Sequence, residues 1–275
     1  MTILDKFSLK DRVAIVTGGA GLLGKEFCRT LAEAGAAVAV VDLNGEATAK
    51  VANELVKTGY KATGIATDIT KPKSVNAMVA AVAANFGQLD ILVNSAALDP
   101  KFDPDAAAKG IAPGAFEDYP LEQWNAALNV NLTGMFLVTQ ACVKQMNMQG
   151  KKGSIINICS TYGLNGPDQR IYIKEGKRVA FKPVYYTTTK AGVMGFTKYL
   201  AAYYAGTEIR VNALTPGGVF NNHEDYFVKN YSAKTILGRM AKKDEMNGAL
   251  LFLASDASSY MTGNNVIVDG GWTAW

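Results

Sequence analysis

The sequence is poor in the side chains that bind metals and form disulfides. Among 275 residues it has one histidine, His223, and three cysteines, Cys28, Cys142 and Cys159. The cysteines form no CxxC pair and have no metal-ligand spacing, and an odd number of them argues against a disulfide framework. We therefore expect reduced thiols and no metal site.

Long runs of one charge are also missing, as is a long apolar run near the start. The 28 basic and 24 acidic residues give a net charge of +4, spread along the chain, which is weak evidence for a nucleic-acid partner. Residues 1–12 alternate charged and hydrophobic side chains, so neither a signal peptide nor a membrane span is predicted there. We expect a cytoplasmic protein that binds neither nucleic acid nor membrane.

What the sequence does contain is an alternation of short apolar runs with longer amphipathic stretches. The apolar runs lack polar alternation, which is typical of parallel strands buried on both faces. Seven strands are predicted at residues 13–17, 36–42, 62–68, 91–96, 154–160, 210–215 and 265–269. Six helices are predicted at residues 22–34, 46–58, 73–86, 121–148, 185–205 and 243–255. This order predicts an α/β fold: a Rossmann-type, doubly wound, seven-stranded, mostly parallel sheet with helices on both faces, in a single domain over residues 1–275.

Three segments are too long for simple connections between these elements, at about 98–119, 164–183 and 220–237. Each follows a predicted strand, so all three should gather at the carboxyl edge of the sheet, where such sheets bind ligands. Segment 164–183 has a surplus of basic side chains. This surplus fits an acidic or sulfonated substrate, and a solvated surface hairpin or a subunit contact explains it equally well.

A glycine-rich turn follows the first predicted strand. Residues 19–24, Gly-Ala-Gly-Leu-Leu-Gly, satisfy the G-x-G-x-x-G pattern between a strand and a helix. Glycines let the backbone turn sharply and approach a pyrophosphate, and the free N–H groups and dipole of the following helix then favour the phosphates. The turn predicts a dinucleotide site.

An acidic residue, Asp42, ends the second predicted strand. It lies about 20 residues beyond the glycines, where a carboxylate accepts hydrogen bonds from the adenosine ribose and repels a 2′-phosphate. Neither Gly19 nor Leu43 supplies the basic charge that would attract that phosphate. NAD is therefore predicted as the cofactor in preference to NADP.

Tyr186 and Lys190 lie one helical turn apart at the start of a predicted helix, so the phenol and the ammonium share a face. A nearby positive charge favours the phenolate and lowers the pKa of the tyrosine. Beside a dinucleotide, such a pair is typical of a proton donor.

With these motifs in matching order over nearly its whole length, the sequence resembles the single-domain branch of the short-chain dehydrogenase/reductase family. Thr67-Asp68-Ile69-Thr70 resembles the adenine-contacting segment of that family, Asn94-Ser95-Ala96-Ala97 a strand end beside the cofactor, and Pro216-Gly217-Gly218-Val219 the loop at the nicotinamide. The resemblance implies cofactor contacts at Gly18, Gly19, Gly21, Leu22, Leu23, Gly24, Asp42, Leu43, Asp68, Ile69, Asn94, Ala96, Tyr186, Lys190, Pro216, Gly217 and Val219.

The resemblance also implies a catalytic tetrad of Asn131, Ser160, Tyr186 and Lys190. Reduction of a ketone builds negative charge on its oxygen, which Ser160 would hold by a hydrogen bond and Tyr186 would protonate. In the family, the lysine grips the nicotinamide ribose and the asparagine holds a water that links the lysine to solvent. The predicted activity is an NAD(H)-dependent oxidoreductase that acts on a secondary alcohol or ketone.

Three departures from the family pattern bear on this assignment. Leu22 stands where the middle glycine is usual, and Gly21 carries the spacing instead, a form commoner among sugar-nucleotide epimerases and dehydratases. Asn221 replaces a frequent threonine at a cofactor contact, and the gap between Ser160 and Tyr186 is longer than usual. An NAD-assisted epimerase or dehydratase and a noncatalytic NAD-sensing protein are therefore kept as alternatives.

Segment 220–237 occupies the position of the substrate lid in that family. Its polar residues, from Asn221 to Tyr226, predict a polyhydroxylated substrate such as a sugar or sugar acid. Predicted helices 121–148 and 184–205 are apolar around much of their circumference. Trp272 and Trp275 lie near the carboxyl terminus, where we expect both to be exposed. We therefore expect a homo-oligomer, a tetramer or a dimer.

Overall fold

The protein is described here by a computed structural model that covers residues 2–99, 113–150 and 152–275. Nine strands are present in this part of the chain. They are β1 (Val13–Thr17), β2 (Ala37–Asp42), β3 (Ala62–Ala66), β4 (Ile91–Asn94), β5 (Gly153–Ile158), β6 (Ile173–Lys174), β7 (Lys177–Arg178), β8 (Ile209–Pro216) and β9 (Asn265–Val268). Seven of them form one sheet in the order β3-β2-β1-β4-β5-β8-β9, and β6 pairs with β7 in a separate hairpin.

Every neighbouring pair in the seven-stranded sheet is parallel. The central strands β1 and β5 are buried at every position because their apolar side chains face helices on both sides. Strand order reverses at the neighbours β1 and β4, where successive connections leave to opposite sides. A crevice for ligands is expected outside the carboxyl ends of the strands at such a point.

Helices cover both faces of the sheet. They are α1 (Leu22–Glu33), α2 (Gly45–Lys57), α3 (Pro72–Phe86), α4 (Leu121–Met148, which includes a π-helical stretch at Asn129–Gly134), α5 (Val184–Tyr203), α6 (Asp225–Ser232) and α7 (Asn247–Ala254). Phe27 of α1, Leu55 of α2 and Leu250 of α7 share one buried apolar cluster. Met78 of α3 and Cys142 of α4 belong to a second cluster, on the opposite face.

The predicted fold class is confirmed, and the main errors lie at the ends of elements. The strands predicted at 62–68, 91–96 and 154–160 end two residues early, because the chain there turns away into loops. The helix predicted at 243–255 begins only at Asn247. The assignment of residues 1–275 to a single domain stays a prediction.

Two of the three long segments contain structure that was not predicted. Segment 164–183 holds the hairpin of β6 and β7, whose turn residues Glu175 and Gly176 both have positive φ, 51° and 77°, as a two-residue hairpin turn requires. Segment 220–237 contains α6. Most of the third, at about 98–119, lies outside the described residues.

By length and apolar composition alone, α4 is the one helix of the described residues that could cross a membrane. Half of its most apolar window is buried within the protein. Its apolar side chains pack on the sheet and on α3, and this packing explains its composition.

Candidate functional site

A cavity of about 400 Å³ opens at the carboxyl edge of the sheet, where β1, β2, β4, β5 and β8 end. The predicted residues that line it are Gly18, Gly21, Leu22, Leu23, Gly24, Asp42, Ala96, Ser160, Tyr186, Lys190, Pro216, Gly217 and Val219. Residues more than 190 positions apart in the chain thus meet around one space. Gly19, Leu43, Asp68, Ile69, Asn94 and Asn131 were also predicted as site residues and are not part of its wall.

The glycine turn is packed so closely that side chains are excluded from it. A Cβ atom on Gly24 would lie 2.0 Å from the carbonyl oxygen of Gly18, and one on Gly18, whose φ is +64°, would lie 2.9 Å from Cα of Ala96. Helix α1 begins directly after this turn, with no side-chain cap on its first N–H groups and no acidic residue in its first turn. The turn therefore fits the pyrophosphate of a dinucleotide.

Asp42 stands at the adenosine end of this wall. Its Oδ2 accepts a hydrogen bond from the backbone N–H of Ala20 at 3.3 Å, and its Oδ1 accepts one from Asn44 at 3.4 Å. Leu43, beside it, is largely exposed. The carboxylate is thus held against the glycine turn at the cavity wall.

Two of the predicted residues outside the cavity wall are fixed by hydrogen bonds to their own neighbours. The Nδ2 of Asn94 donates to Thr139 and to Asn157, both at 2.9 Å, inside the core. The carboxylate of Asp68 accepts hydrogen bonds from Thr70, which lower its pKa.

Asn131 lies in the π-helical stretch of α4 and is buried. Its Oδ1 accepts a hydrogen bond from the backbone N–H of Leu98 at 2.7 Å, and its Nδ2 donates to Oγ1 of Thr189 at 3.1 Å. Asn131 therefore connects the loop after β4 to α5, next to Lys190. Its expected role in holding a water stays a prediction.

Ser160, Tyr186 and Lys190 meet at the floor of the cavity. The Nζ of Lys190 donates to the carbonyl oxygen of Ile158 at 2.8 Å and lies 5.9 Å from the centroid of the Tyr186 ring. Ser160 forms a hydrogen bond with Tyr186 that lowers the pKa of the phenol, and its Oγ accepts one from the backbone N–H of Tyr162 at 3.2 Å.

The expected lowering of the Tyr186 pKa by Lys190 is wrong for this structure. Burial raises the pKa of Tyr186, and the negative charge of Asp99 raises it further. Burial also lowers the pKa of Lys190. Because both groups are removed from water, the cost of desolvating each charge exceeds the attraction between them.

The far wall of the cavity is formed by Asp99, Tyr162, Tyr172, Lys182, His223, Phe227, Tyr231 and Met240. Six of these residues lie in the three long segments that were expected to gather at the ligand site, but none of the eight was predicted individually as a catalytic or cofactor-binding residue. The rings contact one another: His223 stacks on Phe227 with ring centroids 5.0 Å apart, and Tyr172 lies 5.5 Å from Phe227. Burial lowers the pKa of His223 below its ordinary value, so this imidazole is neutral at pH 7. The four-residue spacing of Phe227 and Tyr231 in α6 was the available signal.

Trp272 packs against Tyr162 and Tyr231 of this wall, which corrects the expectation that both carboxyl-terminal tryptophans are exposed. It is 7% exposed and stacks on Tyr231 with centroids 4.3 Å apart. Trp275 is exposed, as expected, and donates to the carbonyl oxygen of Lys234. The carboxyl-terminal segment therefore helps to hold the lid.

No cluster of three or more histidine, cysteine, aspartate or glutamate side chains that could hold a metal ion occurs in the described ranges. His223 is stacked on Phe227, and the cysteines are buried apart from one another. The expectation of a metal-free site stays a prediction.

Comparisons with known proteins agree with this geometry. The sequence profile of a family described as Enoyl-(Acyl carrier protein) reductase matches residues 19–273. The chain is 35% identical over 272 residues to a D-threitol dehydrogenase of Mycolicibacterium smegmatis, covering 97% of this chain and 95% of that protein. It is 37% identical over 266 residues to a 3-alpha-(or 20-beta)-hydroxysteroid dehydrogenase of Mycobacterium tuberculosis, covering 97% and 91%.

A solved structure extends the likeness to the whole fold. The crystal structure of a gluconate 5-dehydrogenase from Burkholderia cenocepacia, in complex with NADP and tartrate, matches with a TM-score of 0.85 and 31% identity over 100% of both chains. Family profile, relatives and fold all lead to one assignment. The chain belongs to the short-chain dehydrogenase/reductase family, whose members use a nicotinamide cofactor, and it is a dehydrogenase that acts on alcohol groups.

Proposed function

We propose that this dehydrogenase interconverts a secondary alcohol and a ketone on a polar, polyhydroxylated substrate, a sugar or sugar acid, with NAD(H) as its cofactor. The observation that carries the proposal is the composition of the cavity opposite Tyr186. There Asp99, Lys182 and His223 offer charge and hydrogen bonds beside the hydroxyl-bearing rings of Tyr162 and Tyr172. Many hydrogen-bonding groups on a small wall match a substrate with many hydroxyls.

The relatives support a polar substrate without deciding it. One acts on threitol and one on gluconate by name, whereas another is a steroid dehydrogenase. The aromatic faces of Phe227 and Tyr231 suit either the C–H face of a sugar or an apolar ring. The charged pair of Asp99 and Lys182, 2.9 Å apart at this wall, favours the sugar because a steroid would leave both charges desolvated.

The chain's own residues account for proton movement at the reacting oxygen. Ser160 and Tyr186 are placed to hydrogen-bond one substrate oxygen, and Tyr186 gives it a proton during reduction or accepts its proton during oxidation. Lys190, fixed by Ile158, supplies positive charge next to the site where the cofactor ribose would lie. The nicotinamide, when bound, supplies the hydride chemistry.

A spectrophotometric screen tests the proposal. The purified protein is assayed at the NADH absorbance with sugars, alditols, aldonates, uronates, simple alcohols and steroids. We expect turnover with carbohydrate compounds, and a loss of about 10²- to 10⁴-fold in kcat for Tyr186→Phe with unchanged NAD binding. Turnover confined to steroids or simple apolar alcohols would refute the substrate class, and undiminished activity of the variant would reassign the proton donor.

The preference for NAD rests on Asp42. Replacement of its carboxylate in Asp42→Ala removes the repulsion of a 2′-phosphate, so the ratio of kcat/KM for NAD to that for NADP should fall by about 10-fold or more. Asp244→Ala is the matched control, because that carboxylate is exposed and lies outside the cavity wall. An unchanged ratio in Asp42→Ala would show that another group selects the cofactor.

Neither of the two alternative functions, an NAD-assisted epimerase or dehydratase and a noncatalytic NAD-sensing protein, is supported by an observation. The dehydrogenase relatives do not favour an NAD-assisted epimerase or dehydratase, although Gly21 lines the cavity as predicted. Ser160, Tyr186 and Lys190 meet in that cavity, which a noncatalytic NAD-sensing protein would not require.

We further propose that the protein is a cytoplasmic homo-oligomer, without a nucleic-acid or membrane partner. Large apolar and aromatic side chains are exposed on the outer sides of two long helices. They are Leu121, Phe136 and Met148 on α4, and Tyr199 and Tyr203 on α5. A second copy that covered these helices would remove this surface from water.

A further inference from the structure

Two ammonium groups lie among the cavity-lining residues of the described ranges, Lys182 and Lys190. Lys190 is bonded to the main chain at Ile158. Lys182 comes from the inserted segment that precedes α5, and its Nζ lies 3.8 Å from the centroid of the Tyr186 ring. Its side chain is 13% exposed. The insertion thus places a nearly buried positive charge directly over the proton-donating ring.

The main chain of Lys182 is held firmly in this position. The side-chain amide of Gln169 accepts a hydrogen bond from Lys182 N at 2.9 Å and donates one to Lys182 O at 3.0 Å. The backbone oxygen of Gln169 in turn accepts a hydrogen bond from Arg178, on β7 of the hairpin, at 2.6 Å. This two-sided amide clamp fixes the point at which the lysine enters the cavity.

The anion that pairs with Lys182 is on the solvent side. Oδ1 of Asp99 lies 2.9 Å from the lysine Nζ, and the side chain of Asp99 is 65% exposed. An ion pair with one member so exposed is weak, because water competes for the carboxylate. A second anion that approached from inside the cavity would replace Asp99 at little cost.

We propose that Lys182 binds a carboxylate of the substrate, so that the physiological substrate is a hydroxy acid of the sugar-acid class. This inference rests on the proposed function and adds the position of its acidic group. When the reacting hydroxyl bonds to Ser160 and Tyr186, the carboxylate lies on Lys182, across the face of the Tyr186 ring. The described wall contains no arginine, so the two parallel hydrogen bonds by which a guanidinium binds phosphate are not available there. The Lys182 ammonium instead binds the carboxylate as a single point charge.

The test compares matched acid and neutral substrates in two variants of the full-length protein. The wild type, Lys182→Met and Lys177→Met are each assayed with two substrate pairs. The pairs are gluconate with glucitol, and threonate with threitol. Lys177 is an exposed lysine of the same insertion that does not line the cavity. We expect Lys182→Met to lower kcat/KM for the acid by about 10- to 100-fold more than for its neutral partner, with the extra loss mainly in KM. Lys177→Met should change neither.

A third variant, Asp99→Asn, should act in the opposite direction to Lys182→Met, and it keeps the clamped lysine. Asp99→Asn frees Lys182 from its solvent-side partner, so the ratio of KM for the acid to KM for its neutral partner should fall. The loss of the Asp99 charge beside Tyr186 acts on both substrates and therefore does not change this ratio. An equal loss for acid and neutral substrates in Lys182→Met would overturn the inference, because the lysine would then act on Tyr186 alone. A wild-type enzyme that oxidises alditols but no acid overturns it too, and leaves the proposed function standing. Failure with every hydroxy compound overturns both.

Discussion

At the scale of single residues, the chemistry depends on a phenol whose surroundings favour the neutral form. Burial and the charge of Asp99 raise the pKa of Tyr186, and the hydrogen bond from Ser160 offsets only part of this rise. The neutral phenol is the proton donor that ketone reduction needs. Alcohol oxidation needs the phenolate, which is scarce at neutral pH when the pKa is raised.

Opposite pH dependences of the two directions follow from this raised pKa. The kcat for oxidation should increase with pH from about pH 6 to about pH 10, and the kcat for reduction should stay level or decline over the same range. Initial rates in both directions, in buffers of constant ionic strength, measure this. An oxidation profile that is flat across the range would mean that Tyr186 is already deprotonated near neutral pH.

At the scale of elements, the turn between β1 and α1 has the least room for change. A methyl group on Gly24 would lie 2.0 Å from the Gly18 oxygen, so Gly24→Ala must displace the turn or the start of α1. We expect about 1 to 3 kcal/mol less stability towards urea and a loss of NAD binding that exceeds the loss of stability, because the phosphate-binding N–H groups move.

Gly248 provides the matched control for this substitution. It also lies in a helix, α7, is exposed, and has nothing within 4 Å of the position of an added Cβ. Gly248→Ala should therefore raise stability by up to about 1 kcal/mol and leave NAD binding unchanged. Urea unfolding and a fluorescence titration with NAD distinguish the two variants. Equal behaviour of the two would mean that the turn tolerates a side chain.

Elements made from local patterns were predictable, and contacts between distant elements were not. The apolar runs of β1 and β5 identified parallel strands because burial on both faces leaves no polar position. The hairpin of β6 and β7 escaped prediction because strands of two residues show no alternation. Asp42 was found through its place at a strand end, Tyr186 through its spacing to Lys190, and Ser160 through the family resemblance.

The opposite wall of the cavity could not be predicted in the same way. Lys182 and Asp99 are 83 residues apart in the chain and belong to irregular segments, so no periodicity relates them. Trp272 was misjudged because a position near the carboxyl terminus does not reveal that the chain folds back onto Tyr231. The shift of the Tyr186 pKa depends on how deeply the ring is buried. The spacing between Tyr186 and Lys190 in the sequence gives no information about that depth.

At the scale of the whole molecule, the exposed side chains of α4 and α5 predict association. Sedimentation at low protein concentration should show a dimer or a tetramer, and replacement of Tyr199 and Tyr203 by serine should shift the distribution towards smaller species. Tyr260, fully exposed and outside both helices, gives the matched control, Tyr260→Ser. A stable wild-type monomer would contradict the proposed assembly.

Because all three cysteines are buried, the rate at which their thiols are alkylated can report on the folded state of the protein. Cys28, Cys142 and Cys159 are each at most 1% exposed, and burial raises the pKa of the Cys28 and Cys142 thiols. Cys159 also lines the site cavity, whereas a maleimide can reach Cys28 and Cys142 only when the core opens. Since a bound dinucleotide suppresses opening in proportion to its affinity, the alkylation rate of the unmodified chain reports cofactor occupancy even when no substrate has been found.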